Sequence, residues 1–316
     1  MTRSDKVKKW GIRLILIILG LLLAVVILVV GIYQIVNRTN GRLVSSGEQR
    51  RYLLYVPESY NPDVPTPLVI SLHGFAEWPA HMMGISHWNT LADQYGFIVV
   101  YPSGTQLPLR WRAYGALDGE ADIMQDVRFI SDLMDKLATE YNVDPARIYV
   151  NGFSNGGGMA FVLACKLSER IAAMGSVAGA YLLPWEECDG SRAVPAIVFH
   201  GTADPIVPYQ GGRAGIFHLP FPAIPDWVEA VSEHNGCDEA VLELPASGSV
   251  EGIQYTGCEA DVAFYTIRGG GHTWPGGGHI PERIVGRATQ EIDATQLIWE
   301  FFRQHRLDSV TGPGGD

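Results

Sequence analysis

A chain of 316 residues, 47% hydrophobic and 18% charged, can bury one large core or two small ones, which excludes disorder over most of its length. Its formal net charge of −11 argues against nucleic acid or an anionic lipid surface as the partner, since either would require a basic patch.

Residues 1–13 are a basic segment in which Arg3, Lys6, Lys8, Lys9 and Arg13 outweigh Asp5. From Leu14 to Tyr33 no charged or strongly polar side chain occurs. This run matches the roughly 20 residues that a helix needs to cross a bilayer, so a signal-anchor is expected over 14–36, with the lipid bilayer as its partner. Only Arg38 and Arg42 follow closely. The positive-inside bias therefore puts the N-terminus in the cytoplasm and the rest outside. The alternative is secretion after cleavage, but a signal peptide would have a shorter apolar region and a small-x-small site, and none follows Val36. No cysteine near the segment invites lipidation. A polar Gly/Ser-containing stalk is expected over 37–50, a single catalytic domain over 51–306, and a flexible tail over 307–316.

Within the domain, apolar runs and helical patterns alternate. Strands are expected at Arg51–Val56, Pro67–His73, Phe97–Tyr101, in the run ending at Ser154, and at Ile171–Val177, Ala196–His200 and Val262–Ile267. Helices are expected at His87–Gln94, Ala121–Tyr141, Asn155–Leu167, Ile224–Asn235 and about Thr289–Arg303. Such alternation predicts an α/β fold, a mostly parallel sheet with helices on both faces. No internal repeat interrupts it.

In a sheet of this kind reactive groups sit in loops at the carboxyl ends of strands. Gly152-Phe-Ser154-Asn-Gly156 lies between an apolar strand and a helix, the setting of a nucleophile elbow. A serine on so tight a turn needs small flanking residues, and the following helix aims its amides at whatever the serine attacks. Asp204 follows the strand ending at His200, and His272 follows the strand ending at Ile267. The chain order Ser154, Asp204, His272 is that of an α/β-hydrolase triad. Gly74 lets the chain turn after the strand ending at His73, so that the amides of Phe75 and Asn155 could form an oxyanion hole.

Plainer readings exist for each residue. Asp204 before Pro205 could be a turn former, and His73-Gly74-Phe75 a strand-ending turn. His279 could replace His272 as base, or join it at a metal, although no carboxylate or thiolate nearby completes a ligand set. His73 and His200, each before a glycine at a strand end, are read as supports of loop shape. Cys165, Cys188, Cys237 and Cys258 all follow the apolar segment; an even count outside the cytosol favours disulfides, with three possible pairings. Cys165 could also be a buried free thiol in a helix. No C-x-x-C occurs, so redox catalysis has no support.

Several stretches carry a resemblance: Leu72-His-Gly-Phe75, Trp88-Asn-Thr-Leu-Ala-Asp-Gln-Tyr-Gly-Phe97, Val99-Val-Tyr-Pro102, Tyr141-Asn-Val-Asp-Pro145, Gly152-Phe-Ser-Asn-Gly-Gly157, Phe199-His-Gly-Thr-Ala-Asp-Pro205 and Gly269-Gly-Gly-His-Thr-Trp-Pro-Gly276. From about Tyr52 to Phe301 the chain resembles the secreted α/β-hydrolase esterases of the poly(3-hydroxybutyrate) depolymerase and feruloyl or acetylxylan esterase group, close to carbohydrate esterase family 1. The resemblance implies Ser154, Asp204 and His272 as the triad, and pairing of Cys165 with Cys188 and of Cys237 with Cys258. Two departures stand out: a membrane anchor is unusual in a family often exported freely, and many relatives carry a larger residue where this chain has Gly158.

The expectation is a membrane-anchored extracytoplasmic serine esterase that takes hydroxyalkanoate oligomers or feruloyl and acetyl esters of polysaccharide fragments through an acyl-enzyme. No metal or organic cofactor is implied. Trp78, Trp111 and Trp274 are candidates for a substrate platform, with packing as the alternative. A membrane-tethered serine peptidase and a non-catalytic surface-binding protein on the same fold are the competing classes.

Overall fold

The computed structural model describes residues 3–36, 38–113, 120–188, 190–214, 218–245, 247–278 and 281–308. The chain divides into two units, 1–38 and 39–316. The first unit holds helix α1 (Arg3–Val36). Among the described residues no helix is long and apolar enough to cross a membrane, so the span expected over 14–36 is not found.

The second unit is built on a sheet whose strands are β1 (Gly41–Ser45), β2 (Glu48–Tyr55), β3 (Thr66–Leu72), β4 (Ile98–Pro102), β5 (Val143–Phe153), β6 (Ala173–Val177), β7 (Ala196–Gly201), β10 (Val241–Leu244), β11 (Val250–Tyr255) and β12 (Val262–Ile267); β8 (Gly212–Ala214) and β9 (Leu219–Phe221) form a separate hairpin. The order across the sheet is β1-β2-β4-β3-β5-β6-β7-β12-β11-β10. From β4 to β12 every neighbouring pair is parallel, and the strands outside them are antiparallel. This is the mostly parallel mixed sheet that the alternating pattern predicts. Because helices cover both faces, β3, β4, β6 and β7 are buried along their whole length.

Alternate side chains of each strand feed two cores. Leu68, Ile70 and Leu72 of β3 join α4 (Glu120–Glu140), α5 (Asn155–Lys166) and α6 (Ile224–His234) on one face. Val69 joins α2 (Pro79–Ser86), α3 (Trp88–Tyr95) and α8 (Ala294–Phe302) on the other, and a short α7 (Glu282–Val285) precedes α8.

Two further expectations are corrected. The residues read as a polar stalk form β1 and the start of β2. Ser46 and Gly47 both adopt positive φ, 49° and 78°, the two-residue turn whose twist suits a hairpin. The last helix starts at Ala294 rather than near Thr289 because Asp293 caps it, its carboxylate accepting from the Gln296 amide at 3.0 Å. Helix α2, β10, β11 and the β8–β9 hairpin are further elements that the apolar pattern did not reveal. Both disulfides implied by the resemblance are present: Cys165–Cys188 ties the end of α5 to the loop after β6, and Cys237–Cys258 ties the chain after α6 to the turn between β11 and β12.

Candidate active site

Ser154 leaves β5 at φ 56° and ψ −118°, a backbone region that a non-glycine residue occupies only under constraint. The constraint is visible: its amide donates to Val177 O at 2.9 Å, and its carbonyl accepts from Gly158 and Ala180, each at 3.0 Å. The flanking glycines are dictated by close approach. A Cβ on Gly152 would lie 2.1 Å from Gly156 O, and one on Gly156 would lie 2.2 Å from Leu72 O. The second contact presses the first turn of α5 against the end of β3, which brings the loop carrying Phe75 alongside Asn155.

That loop is tied down on several sides. The buried His73 donates from Nδ1 to Gly74 O at 2.8 Å and accepts at Nε2 from the Gly104 amide at 2.9 Å. Burial holds its pKa below the ordinary imidazole value, in keeping with this neutral tautomer. Gly74 N donates to Glu77 Oε2 at 2.9 Å, and Ala76 N to Leu109 O at 2.8 Å. Asn155 locks the facing loop: its Oδ1 accepts from Trp111 N at 2.7 Å and its Nδ2 donates to Trp111 O at 3.2 Å.

Asp204 and His272 meet across adjacent parallel strands, β7 and β12. His272 Nδ1 donates to Asp204 Oδ2 at 2.7 Å, which leaves Nε2 with a lone pair. The other carboxylate oxygen accepts from the amides of Ile206 and Val207, both at 2.8 Å. Burial on its own would raise the Asp204 pKa, but the charge of His272 and hydrogen bonds from His200 and His272 outweigh it and hold the group well below the usual carboxylate range. The imidazole of His272 rests against Phe153, with ring centroids 4.9 Å apart, and Phe153 directly precedes Ser154. All three residues are buried, at 8% exposure for Ser154, 6% for Asp204 and 3% for His272.

The tryptophan expectations are revised. Trp111 is fully buried, its Nε1 donating to His73 O at 3.0 Å, and Trp274 is buried with its Nε1 on Thr295 Oγ1 at 2.9 Å. Both are walls of the scaffold rather than an open platform. Trp78 is half-buried at the start of α2, beside the ring of His81. His279 lies outside the described residues. Among the described residues no group of three or more His, Cys, Asp or Glu side chains could hold a metal ion.

Sequence reading missed an aromatic groove. A cavity of 450 Å³ is lined by Tyr181, Trp185, Phe221 and Trp227, with prolines 184, 220 and 222 and the carboxylate of Asp226. It begins one residue after Ala180, whose amide holds Ser154 O. The residues are spread over the β6–β7 loop, β9 and α6, so no local motif announces them.

The model of the esterase PHB depolymerase family matches residues 50–197. The bifunctional acetylxylan esterase/xylanase of Neocallimastix patriciarum is 33% identical over 85% of this chain, which spans 36% of that protein. Feruloyl esterase C of Emericella nidulans is 28% identical over 84% of this chain and 86% of its own length. Among solved structures, the acetyl xylan esterase from Aspergillus awamori superposes with a TM-score of 0.55 at 19% identity, covering 80% of this chain and 94% of that one; at this identity the likeness speaks to the α/β-hydrolase fold. The chain belongs to the esterase PHB depolymerase family and is a serine esterase, a hydrolase of carboxylic esters.

Proposed function

We propose that Ser154, His272 and Asp204 carry out two-step acyl transfer on acetyl or hydroxycinnamoyl esters of saccharide fragments, or on hydroxyalkanoate oligomers. The observation that carries this reading is the 2.7 Å bond from His272 Nδ1 to the buried Asp204 carboxylate, beside a serine held on a strained elbow. His272 Nε2 takes the proton of Ser154 as the hydroxyl attacks the ester carbonyl, and Asp204 stabilises the resulting imidazolium. The amides of Phe75 and Asn155 receive the tetrahedral oxyanion, helped by the N-terminal end of α5. Collapse expels the alcohol, which takes the proton back from His272. Water then repeats the attack, and the free acid leaves.

The substrate class rests on the names of the relatives and on the groove. The part-exposed ring of Trp185, backed by the buried Tyr181 and Phe221, suits an aryl ring or a pyranose face, and Asp226 can accept from a hydroxyl. The two disulfides support a location outside the reducing cytosol. The test is a panel of p-nitrophenyl esters, acetylated and feruloylated oligosaccharides, hydroxybutyrate oligomers and peptide amides, assayed with the full chain and with Ser154→Ala. Release of acid from the saccharide or hydroxyalkanoate esters by the wild type alone supports the proposal; cleavage of amides in preference to every ester overturns it.

A further inference from the structure

Asp204 Oδ2 faces two histidines. Besides His272, the imidazole of His200, fully buried at the end of β7, brings its Nε2 to 3.3 Å from the same oxygen and to 3.0 Å from Val207 O. Both neighbours of that nitrogen are acceptors, so Nε2 carries the proton and shares it between them. Nδ1 of His200 is buried with no hydrogen-bond partner. A ring whose other nitrogen is left unsatisfied is costly to keep in a core, and leucine or phenylalanine would fill the volume without that cost.

We propose that His200 is a positioning residue for the ester hydrolysis: its Nε2–H sets the orientation of the Asp204 carboxylate and competes with His272 for Oδ2, which tunes how strongly Asp204 holds the imidazolium of His272. The inference rests on the proposed roles of Asp204 and His272. Three further observations support it. Val207 donates its amide to Oδ1 while its carbonyl accepts from His200, so His200 closes the turn that grips the carboxylate. Its ring is fixed in β7, whose parallel pairing with β12 aligns His200 with Thr266, ahead of the loop that carries His272. Burial of the whole cluster makes each donor count for more than it would in water.

The groups that bear on Asp204 are His272, from the loop after β12, and His200, from β7. The phenol of Tyr209 stands beside His200, with ring centroids 6.2 Å apart, and is engaged with Thr266 Oγ1 at 3.0 Å. A change in pH dependence on altering His200 therefore reads the Asp204–His272 contact.

Three variants separate positioning from plain packing. His200→Gln keeps an N–H donor near the place of Nε2. His200→Leu removes it. His200→Asn keeps polarity but is too short to reach Oδ2, and it replaces the leucine variant if that one does not fold. In the folded variant lacking the donor, kcat falls about tenfold, the size expected for one hydrogen bond to a charged group, because the freed carboxylate turns His272 out of line with Ser154 and this outweighs its tighter hold on the imidazolium, while KM stays unchanged. The acid limb of kcat/KM moves to higher pH, because a carboxylate relieved of one donor holds the imidazolium more tightly. The low-field proton resonance of the His272–Asp204 hydrogen bond moves with it. His200→Gln restores kcat and the acid limb. An unmoved acid limb and resonance in a folded variant without the donor, or a glutamine variant as impaired as leucine, overturns the proposal. The resonance needs no substrate, so it tests the contact even if wild-type enzyme fails on every ester, an outcome that would instead remove the proposed function.

Discussion

A serine at φ 56° and an aspartate wrapped in donors are the two residues on which the proposed chemistry turns. Replacing Ser154 by alanine removes the proposed nucleophile and leaves the elbow, so turnover is expected to fall on the order of 10⁶-fold, with an unchanged melting temperature in circular dichroism. Asp204 makes a separate prediction about acid. Its folded pKa is depressed, so the stability it contributes is fully present above the ordinary carboxylate pKa of about 3.9 and is lost as pH falls through the lower folded value. Urea unfolding of the wild type and of Asp204→Asn should show a gap at neutral pH that narrows only below pH about 4. A gap that closes between pH 5 and 7 would mean that another group carries it. The residue types at these positions are legible in the sequence, since each falls at a strand end. Their bonds are not, because residues 204 and 272 meet only when β7 and β12 pair.

At the scale of elements, α4 shows where periodicity misleads. Its amphipathic pattern is correct in outline, yet Asp126 lies wholly in the core, where Arg50 Nη2 reaches Oδ1 at 2.8 Å and Arg112 donates both its amide, at 2.8 Å, and its guanidinium, at 3.3 Å. Arg50 also lies 3.9 Å over the Phe129 ring. The cluster joins β2, α4 and the loop of Trp111, which in turn holds Asn155. Asp126→Asn strands two buried guanidinium groups, and a loss of about 3–5 kcal/mol is expected from denaturant unfolding, together with reduced esterase activity. Gly158 is the other element-scale case. A Cβ there would stand 2.1 Å from Ala180 O, so Gly158→Ala must push α5 away from the segment that grips Ser154 O. We expect it to cost about 1–3 kcal/mol and to lower kcat.

For the whole molecule, the disulfides and the aromatic groove matter more than any single strand. Cys237–Cys258 closes a loop with a sequence separation of 21 and holds α6 against the antiparallel edge of the sheet. Removing it with paired serines should lower the unfolding free energy by about 3 kcal/mol while the response to p-nitrophenyl acetate stays unchanged at 25 °C. The groove predicts a division between substrates. Trp185→Ala should raise KM for feruloyl or acetylated oligosaccharides and leave KM for p-nitrophenyl acetate as it was, since the small ester does not reach the groove. An equal effect on both substrates would place Trp185 in packing.

The sequence by itself determined the parallel core of the sheet, the elbow at Ser154, the strand-end placement of Asp204 and His272 and the family, because each is written in a local period or a short contiguous motif. It also carried the disulfide partners, through the resemblance. Tertiary structure decided the rest. Trp111 and Trp274 look like loop aromatics until Asn155 and Thr295 are seen beside them, and His200 looks like a turn support until Asp204 folds back over it. The buried ion cluster on Asp126 and the groove bring together residues far apart in the chain, Arg50 with Asp126 and Tyr181 with Trp227. A contact of that range has no period and no spacing; it exists only once the strands have taken their order in the sheet.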